Sequence, residues 1–245
     1  MPLQKRSLTK LKPLKMEKTK IFLDGADAIL ENANNPDIAG FTTNPTLMKK
    51  AGVVSYEAFA RQVLQKITDK PVAFEVLSDD FAEMHKQALK ISSWGNNVNV
   101  KIPVTNTKGE SSVILIGALL RNDICVNITA ITTIKQIFNL LPLFNKHSRG
   151  YVSVFAGRIA DTGQDPTHTI RAAQYLLSDY PGIKLIWASA REIYNVKQAD
   201  DCGCDIITIG TDLYKKLPLL GMDLDEMSLN TVKMFHDDGK NFKIN

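Results

Sequence analysis

Short apolar runs rich in β-branched residues alternate along this chain with longer stretches in which apolar residues recur every three to four positions. The first pattern predicts strands and the second amphipathic helices. Eight runs read as strands, at 20–24 (KIFLD), 38–43 (IAGFTT), 71–76 (PVAFEV), 98–104 (VNVKIPV), 123–128 (DICVNI), 151–155 (YVSVF), 184–188 (KLIWA) and 205–209 (DIITI). Helical spacing occupies 26–34, 55–69, 79–93, 111–121, 131–146, 166–179, 191–202 and 211–217. Successive strand–helix units imply a parallel sheet, and eight of them in a chain of this length predict an α/β fold of the (β/α)8 TIM-barrel type. The alternative is a doubly wound open sheet, which usually has fewer strands and a glycine-rich first turn; here the first turn reads DGAD and holds no GxGxxG. Ser111 and Ser112 are N-cap candidates, Pro166 sits near the start of the sixth helix and Gly203 closes the seventh. Residues 223–235 carry Leu224, Met227 and Met234 on one stripe and Leu229, Val232 and Phe235 on another. They read as an additional C-terminal helix, placed either as a lid on the barrel or against a neighbouring subunit.

One residue breaks the pattern. In VNVKIPVT, Val98, Val100, Ile102 and Val104 share one face of the expected strand, and Asn99, Lys101, Pro103 and Thr105 share the other. Lys101 is either paired with a carboxylate or has its pKa lowered until the free amine is populated, because an unpaired buried ammonium is expensive. Lowering a lysine pKa from about 10.4 to roughly 7–8 costs on the order of 4 kcal/mol. A fold that carries such a cost has a use for a nucleophilic amine, and Schiff-base formation with a carbonyl substrate is the leading one. The competing reading is a lysine that snorkels from a half-exposed strand.

In a (β/α)8 barrel the functional groups come from the C-terminal ends of several strands. Strand 1 ends in Asp24, strand 2 runs into Thr42, Thr43 and Asn44, and strand 3 contains Glu75. Strand 5 ends in Asn127 with Thr129 beyond it, strand 6 carries Ser153 and Phe155, and strand 7 runs into Ser189 and Arg191. With Lys101 on strand 4, seven of the eight strands place a polar group at one end, as a functional mouth requires. An amine nucleophile needs a carboxyl to move protons as carbinolamine becomes imine, and Glu75 is the nearest candidate. Asp24 can take a hydroxyl proton and so trigger carbon–carbon cleavage, and Asn44, Asn127 and Ser153 suit sugar hydroxyls. Arg158, Ser189 and Arg191 lie late in the barrel, where two guanidiniums and a hydroxyl suit a phosphate monoester.

Composition narrows the remaining choices. The chain has 245 residues, 44% of them hydrophobic and 23% charged, which suits a single soluble domain. No run approaches a membrane span or a secretory signal core, so a cytoplasmic protein without a membrane partner is expected. Cys125, Cys202 and Cys204 are odd in number and lie in or beside apolar segments, and are expected as free thiols. The formal charge of +4 misleads, because residues 1–20 hold seven Lys or Arg and one Glu, leaving the rest of the chain at −2. Residues 1–17 are therefore read as a basic, disordered leader, with Met16 also a candidate start, ahead of a barrel over 18–222 and the C-terminal helix and tail over 223–245. No other basic face exists to bind nucleic acid. His85, His147, His168 and His236 lack metal-ligand spacing, CGC at 202–204 is too short for zinc, DTGQDP at 161–166 resembles a calcium loop only superficially, and no P-loop is present. Neither metal nor cofactor is expected.

The stretches IFLDGAD, GFTTNPTLM, FEV, VNVKIPVT, VNIT, YVSVFAGRI and WASAR resemble the transaldolase family, in the short-chain branch that includes the fructose-6-phosphate aldolases. The resemblance runs over roughly residues 20–235 in the family's order. It implies a cofactor-free (β/α)8 barrel with its Schiff-base lysine at Lys101, Asp24 as the acid/base for carbon–carbon cleavage, and Glu75 acting through a water. Asn44 and Asn127 would hold a dihydroxyacetone unit with Thr42, Thr129 and Ser153 around them, and Arg158, Ser189 and Arg191 would lie near phosphate. The implied partners are a ketose-phosphate donor and an aldose acceptor, and the implied assembly is a homo-oligomer. The aldolases of the branch tend to have Gln where Glu75 stands and Tyr where Phe155 stands, so this pair points to transfer. A lyase that releases free dihydroxyacetone is the alternative, and a barrel that binds sugar phosphate without turnover is a third. Val154, the TAITT that follows Ile128, and Ala190 depart from the family's usual residues beside the sugar-binding positions, which leaves the acceptor open.

Overall fold

The structure, a computed structural model, describes residues 18–243. The leader expected over 1–17 lies outside the described residues. Eight parallel strands close into a barrel in sequence order: β1 Lys20–Asp24, β2 Gly40–Thr42, β3 Val72–Glu75, β4 Val98–Pro103, β5 Val126–Ile131, β6 Gly150–Val154, β7 Ile183–Trp187 and β8 Ile206–Gly210. β1 pairs with β8 from Lys20↔Ile206 to Asp24↔Gly210, which completes the closure. The crossovers carry α1 Ala26–Glu31, α2 Pro45–Lys50, α3 Tyr56–Lys66, α4 Phe81–Ser92, α5 Val113–Arg121, α6 Ile134–Phe138, α7 Ala156–Ala160, α8 Pro166–Leu177, α9 Tyr194–Asp201 and α10 Thr211–Tyr214; α11 Leu224–Gly239 follows the last strand.

Period two along the strands divides the apolar core into two clusters. Outward residues such as Leu23, Phe41, Val72, Phe74, Val100, Ile102, Ile128, Val152, Leu185, Trp187 and Ile207 are buried in a continuous layer with helix residues such as Val63, Met84, Ile116, Ile170 and Val196. Phe22, Ile186, Ala188 and Ile206, of the opposite parity, form a separate small cluster with Tyr151 and Phe155 against it. This is the barrel interior, and it is filled rather than hollow. Gly40 stands beside Phe22 in register because a Cβ there would lie 2.5 Å from the Phe22 ring.

Three expectations are corrected. β5 begins at Val126 instead of 123, because α5 ends in a turn with Asp123 at φ +56° and Ile124 N–H bonded to Leu119 C=O. It then runs on to Ile131 through Ala130 at φ +62°, where the register with β6 shifts, so Thr129 lies within the strand instead of beyond it. The long helix expected over 131–146 is one short helix, α6, and a separate 3-10 turn at Leu141–Leu143. Thr133 caps α6 through Gln136 in a capping box, and Pro142 cannot continue the helical ladder.

Other signals held. Pro166 opens α8 behind the Asp165 cap, and Gly203 follows α9 at φ +70°. Of the two serines expected to cap α5, Ser112 stands at the N-cap without a side-chain cap bond. α11 begins behind Asp223, whose carboxylate accepts from Asp225 and Glu226 N–H, and it runs past the expected end at 235. No residue of α11 is buried, and Leu229, Val232 and Phe235 are exposed. No helix among the described residues is long and apolar enough to cross a membrane.

Candidate active site

Lys101 occupies the interior parity of β4, with Glu75 beside it in register on β3 and Asn127 on β5. Its side chain is buried, 8% exposed, and Nζ pairs with Glu75 Oε2 at 3.0 Å. The ammonium also donates to Thr43 C=O at 2.7 Å. Burial excludes the snorkelling reading, and of the two remaining alternatives the structure shows the carboxylate pair. The pair leaves neither buried charge without a partner, which a lone ammonium at this depth would be.

Asp24 terminates β1 on the same interior parity. Thr42 Oγ1 donates to its Oδ1 at 3.1 Å and Asn44 Nδ2 to its Oδ2 at 3.3 Å. Burial pushes the Asp24 carboxyl up from 3.8 to about 6; the Lys101 charge and the Thr42 and Asn44 bonds pull against the rise, and the Glu75 charge adds to it. A carboxyl that titrates near neutrality can both accept and return a proton at working pH. Asn44 has a second task, as its Oδ1 caps α2 by accepting from Leu47 N–H at 2.9 Å. The cap fixes the rotamer that aims Nδ2 at Asp24.

Across the barrel, Ser153 Oγ donates to Asn127 Oδ1 at 2.7 Å, and both side chains are buried. Among the described residues the buried Thr129 hydroxyl has no hydrogen-bond partner, nor has the Asn99 amide one layer below Lys101. Phe155 follows β6 and packs its ring on the interior cluster. Thr42, Asn44, Asn127, Thr129, Ser153 and Phe155 thus share the C-terminal half of the barrel with the lysine and the two acids.

The remaining expected residues form a second group. Arg191 Nη2 pairs with Asp161 Oδ2 at 2.5 Å, and Arg158 Nη1 lies 3.9 Å from the same oxygen. Ser189 adopts φ +62°, and Gly157 passes so close that a Cβ on it would lie 1.7 Å from Ser189 O. That approach holds the loop after β7 against α7 and brings Ser189 and Arg191 alongside Arg158. Among the described residues, no hydrogen bond or ion pair joins this group to Lys101, Glu75 or Asp24.

Sequence reading passed over Thr208, Asp161 and Tyr56. Thr208, on β8, lies 2.6 Å from Thr42 Oγ1, whose single proton goes to Asp24; the Thr208 hydroxyl is therefore the donor to Thr42. The signal was present, since Thr208 is the one polar residue inside the apolar run of strand 8, and it completes the ring of polar groups as the eighth strand's member. Among the described residues, no group of three or more His, Cys, Asp or Glu has a metal-binding arrangement.

Residues 21–245 match the family described as Transaldolase/Fructose-6-phosphate aldolase. A protein named "Probable transaldolase" from Methanococcus maripaludis is 36% identical over 202 residues, covering 81% of this chain and 89% of that protein. One of the same name from Thermoplasma acidophilum is 34% identical over 203 residues, covering 81% and 87% respectively. One from Streptococcus equi is 31% identical over 227 residues, or 91% of this chain and 99% of the relative. Among solved structures, the tryptophan synthase A-subunit of Pyrococcus furiosus superposes with a TM-score of 0.56 at 8% identity, covering 85% of this chain and 98% of that one. A native KDPGal structure superposes with a TM-score of 0.53 at 13% identity, covering 91% and 100%. These two likenesses concern the barrel fold alone.

Proposed function

Because the chain belongs to the transaldolase/fructose-6-phosphate aldolase family, we propose that it transfers a dihydroxyacetone unit from a ketose phosphate to an aldose through a Schiff base on Lys101. The observation that carries the reading is the buried Lys101–Glu75 pair at 3.0 Å, facing the same interior as an Asp24 whose carboxyl titrates near 6.

The steps follow from the positions of the groups. Glu75 takes the ammonium proton, and the free amine adds to the ketone carbon to give a carbinolamine. Glu75 returns a proton to the departing hydroxyl, water leaves, and an iminium stands on Nζ. Asp24, ionised above about pH 6, removes the proton of the C4 hydroxyl. The C3–C4 bond then breaks, its electron pair is drawn into the iminium to form an enamine, and an aldose phosphate departs. The enamine carbon attacks the aldehyde of a second aldose, Asp24 returns its proton to the new alkoxide, and hydrolysis frees the new ketose and the lysine. In this reading Asn44, Asn127 and Ser153 hold the hydroxyls of the three-carbon unit, and Arg158, Ser189 and Arg191 hold the phosphate.

Borohydride reduction in the presence of fructose 6-phosphate, followed by peptide mass spectrometry, tests the proposal. A three-carbon adduct on Lys101 is expected; an adduct on another lysine, or none, overturns it. Release of free dihydroxyacetone without an acceptor aldose would assign the chain to the lyase branch of the family instead.

A further inference from the structure

β2 is the shortest strand of the barrel and meets β3 only at Phe41↔Val72 and Thr42↔Ala73. Along β3 the backbone groups of residues 71, 73 and 75 face β2, while those of 72, 74 and 76 face β4. The hydrogen bonds follow this alternation. Pro71 C=O accepts from Phe41 N–H and Ala73 C=O from Thr43 N–H, whereas Val72 and Val76 N–H donate to Asn97 and Lys101 C=O. After Thr43 the chain turns away into the Asn44 cap of α2. Glu75 is left facing β2 with no strand opposite it.

A side chain fills the place. Tyr56, first residue of α3, inserts its phenol between the separating strands; its oxygen accepts from Glu75 N–H at 2.6 Å and its O–H donates to Glu75 C=O at 2.9 Å. The ring is held edge-on by Phe74 and Trp94, with centroids 6.0 and 5.6 Å away. The same parting of β2 from β3 leaves Thr43 C=O free to accept from Lys101 Nζ. Burial raises the pKa of the phenol, which keeps it protonated and able to donate throughout the working range.

We propose that Tyr56 is a positioning residue of this site, its hydroxyl standing in for the missing β2 residue so that the end of β3 holds the Glu75 carboxylate against Lys101. The role rests on the Schiff-base reading only for its consequence, since the backbone bonds it describes exist independently of the chemistry. Loss of the hydroxyl frees the last residue of β3 on one side, and an acid held within 3.0 Å of its partner tolerates little drift.

Tyr56→Phe keeps the ring and removes only the oxygen. Two measurements test the proposal. Hydrogen exchange at the Glu75 amide is expected to rise about 10-fold or more in the variant while amides elsewhere in the barrel are unchanged; equal exchange in parent and variant overturns the bond and the proposal with it. Transfer kcat is expected to fall about 10-fold with KM for the phosphorylated donor within about twofold, and Glu75→Gln combined with Tyr56→Phe should lose no more than Glu75→Gln alone. Losses that multiply in the double variant overturn the positioning role. If the variant does not fold, the parent decides: Glu75 N–H exchanging as slowly as Val76 N–H supports the bond, and exchange at a loop's rate overturns it. A parent chain that forms no adduct on Lys101 defeats the Schiff-base reading and leaves the exchange result standing, so the two failures are told apart.

Discussion

Asp24→Asn is expected to make this protein more stable at neutral pH and nearly inactive. Burial holds the folded-state carboxyl at about 6 against an ordinary value of 3.8. Between about pH 4 and 6 the folded chain therefore binds a proton that the unfolded chain has lost, and stability declines as pH rises across that window. Above it, ionised Asp24 costs the fold about 3 kcal/mol, from a gap of about 2 in pKa at about 1.36 kcal/mol each. Asparagine removes the charge but keeps one oxygen, so it can accept from only one of Thr42 Oγ1 and Asn44 Nδ2, the two donors to the carboxylate. The lost bond returns about 1 kcal/mol or more of the gain. The net is about 1–2 kcal/mol, which in a chain of this size raises the melting temperature by roughly 2–8 °C. Thermal denaturation followed by circular dichroism, with parent and variant at one protein concentration, should show this difference at pH 8 and its disappearance by pH 4. Transfer activity should fall by about 10²-fold or more, the usual loss for a removed acid/base group. The reasoning is refuted if the variant is no more stable than the parent at pH 8, or if the difference is the same at both pH values.

Gly157→Ala would place a Cβ 1.7 Å from Ser189 O, and the loop carrying Ser189 and Arg191 must shift to admit it. KM for a phosphorylated donor should rise about 10-fold and the melting temperature should fall, since forced overpacking costs about 1–3 kcal/mol; unchanged KM and melting would show that the loop does not hold the phosphate. Glu75→Gln with Phe155→Tyr should move activity from transfer toward release of free dihydroxyacetone, measured as the ratio of the two rates with and without acceptor, and a constant ratio rejects the role given to these positions.

The barrel was legible because its signals are local and repeated. Period-two runs of β-branched residues mark each strand, and the charge of Lys101 within such a run marks the face that became the interior. Pro166 and Gly203 punctuated helices in the expected places because a fixed or a positive φ acts on residues within a turn of it. Where the reading failed, the cause lay further away in sequence. The shift of β5 to Val126–Ile131 depends on the pairing of Ile131 with Val154 after the bulge at Ala130, which no periodicity within 123–128 encodes. α6 stopped early because the capping box and Pro142 confine it, so apolar spacing alone overstated its length.

For the site, residue types and strand ends named the groups but not their partners. Sequence alone determined that a lysine and two carboxyls belong to strands 4, 3 and 1 at one end of a barrel, because parity along a strand follows from backbone geometry. Only tertiary structure decided that Lys101 pairs with Glu75 instead of remaining alone, that burial raises the Asp24 carboxyl, and that Asp161 lies beside both arginines. It also placed Thr208 behind Thr42 and Tyr56 against Glu75, contacts that span 166 and 19 residues. Desolvation and hydrogen bonding depend on which atoms meet across a closed sheet, and barrel closure, not any stretch of residues, brings those atoms within reach.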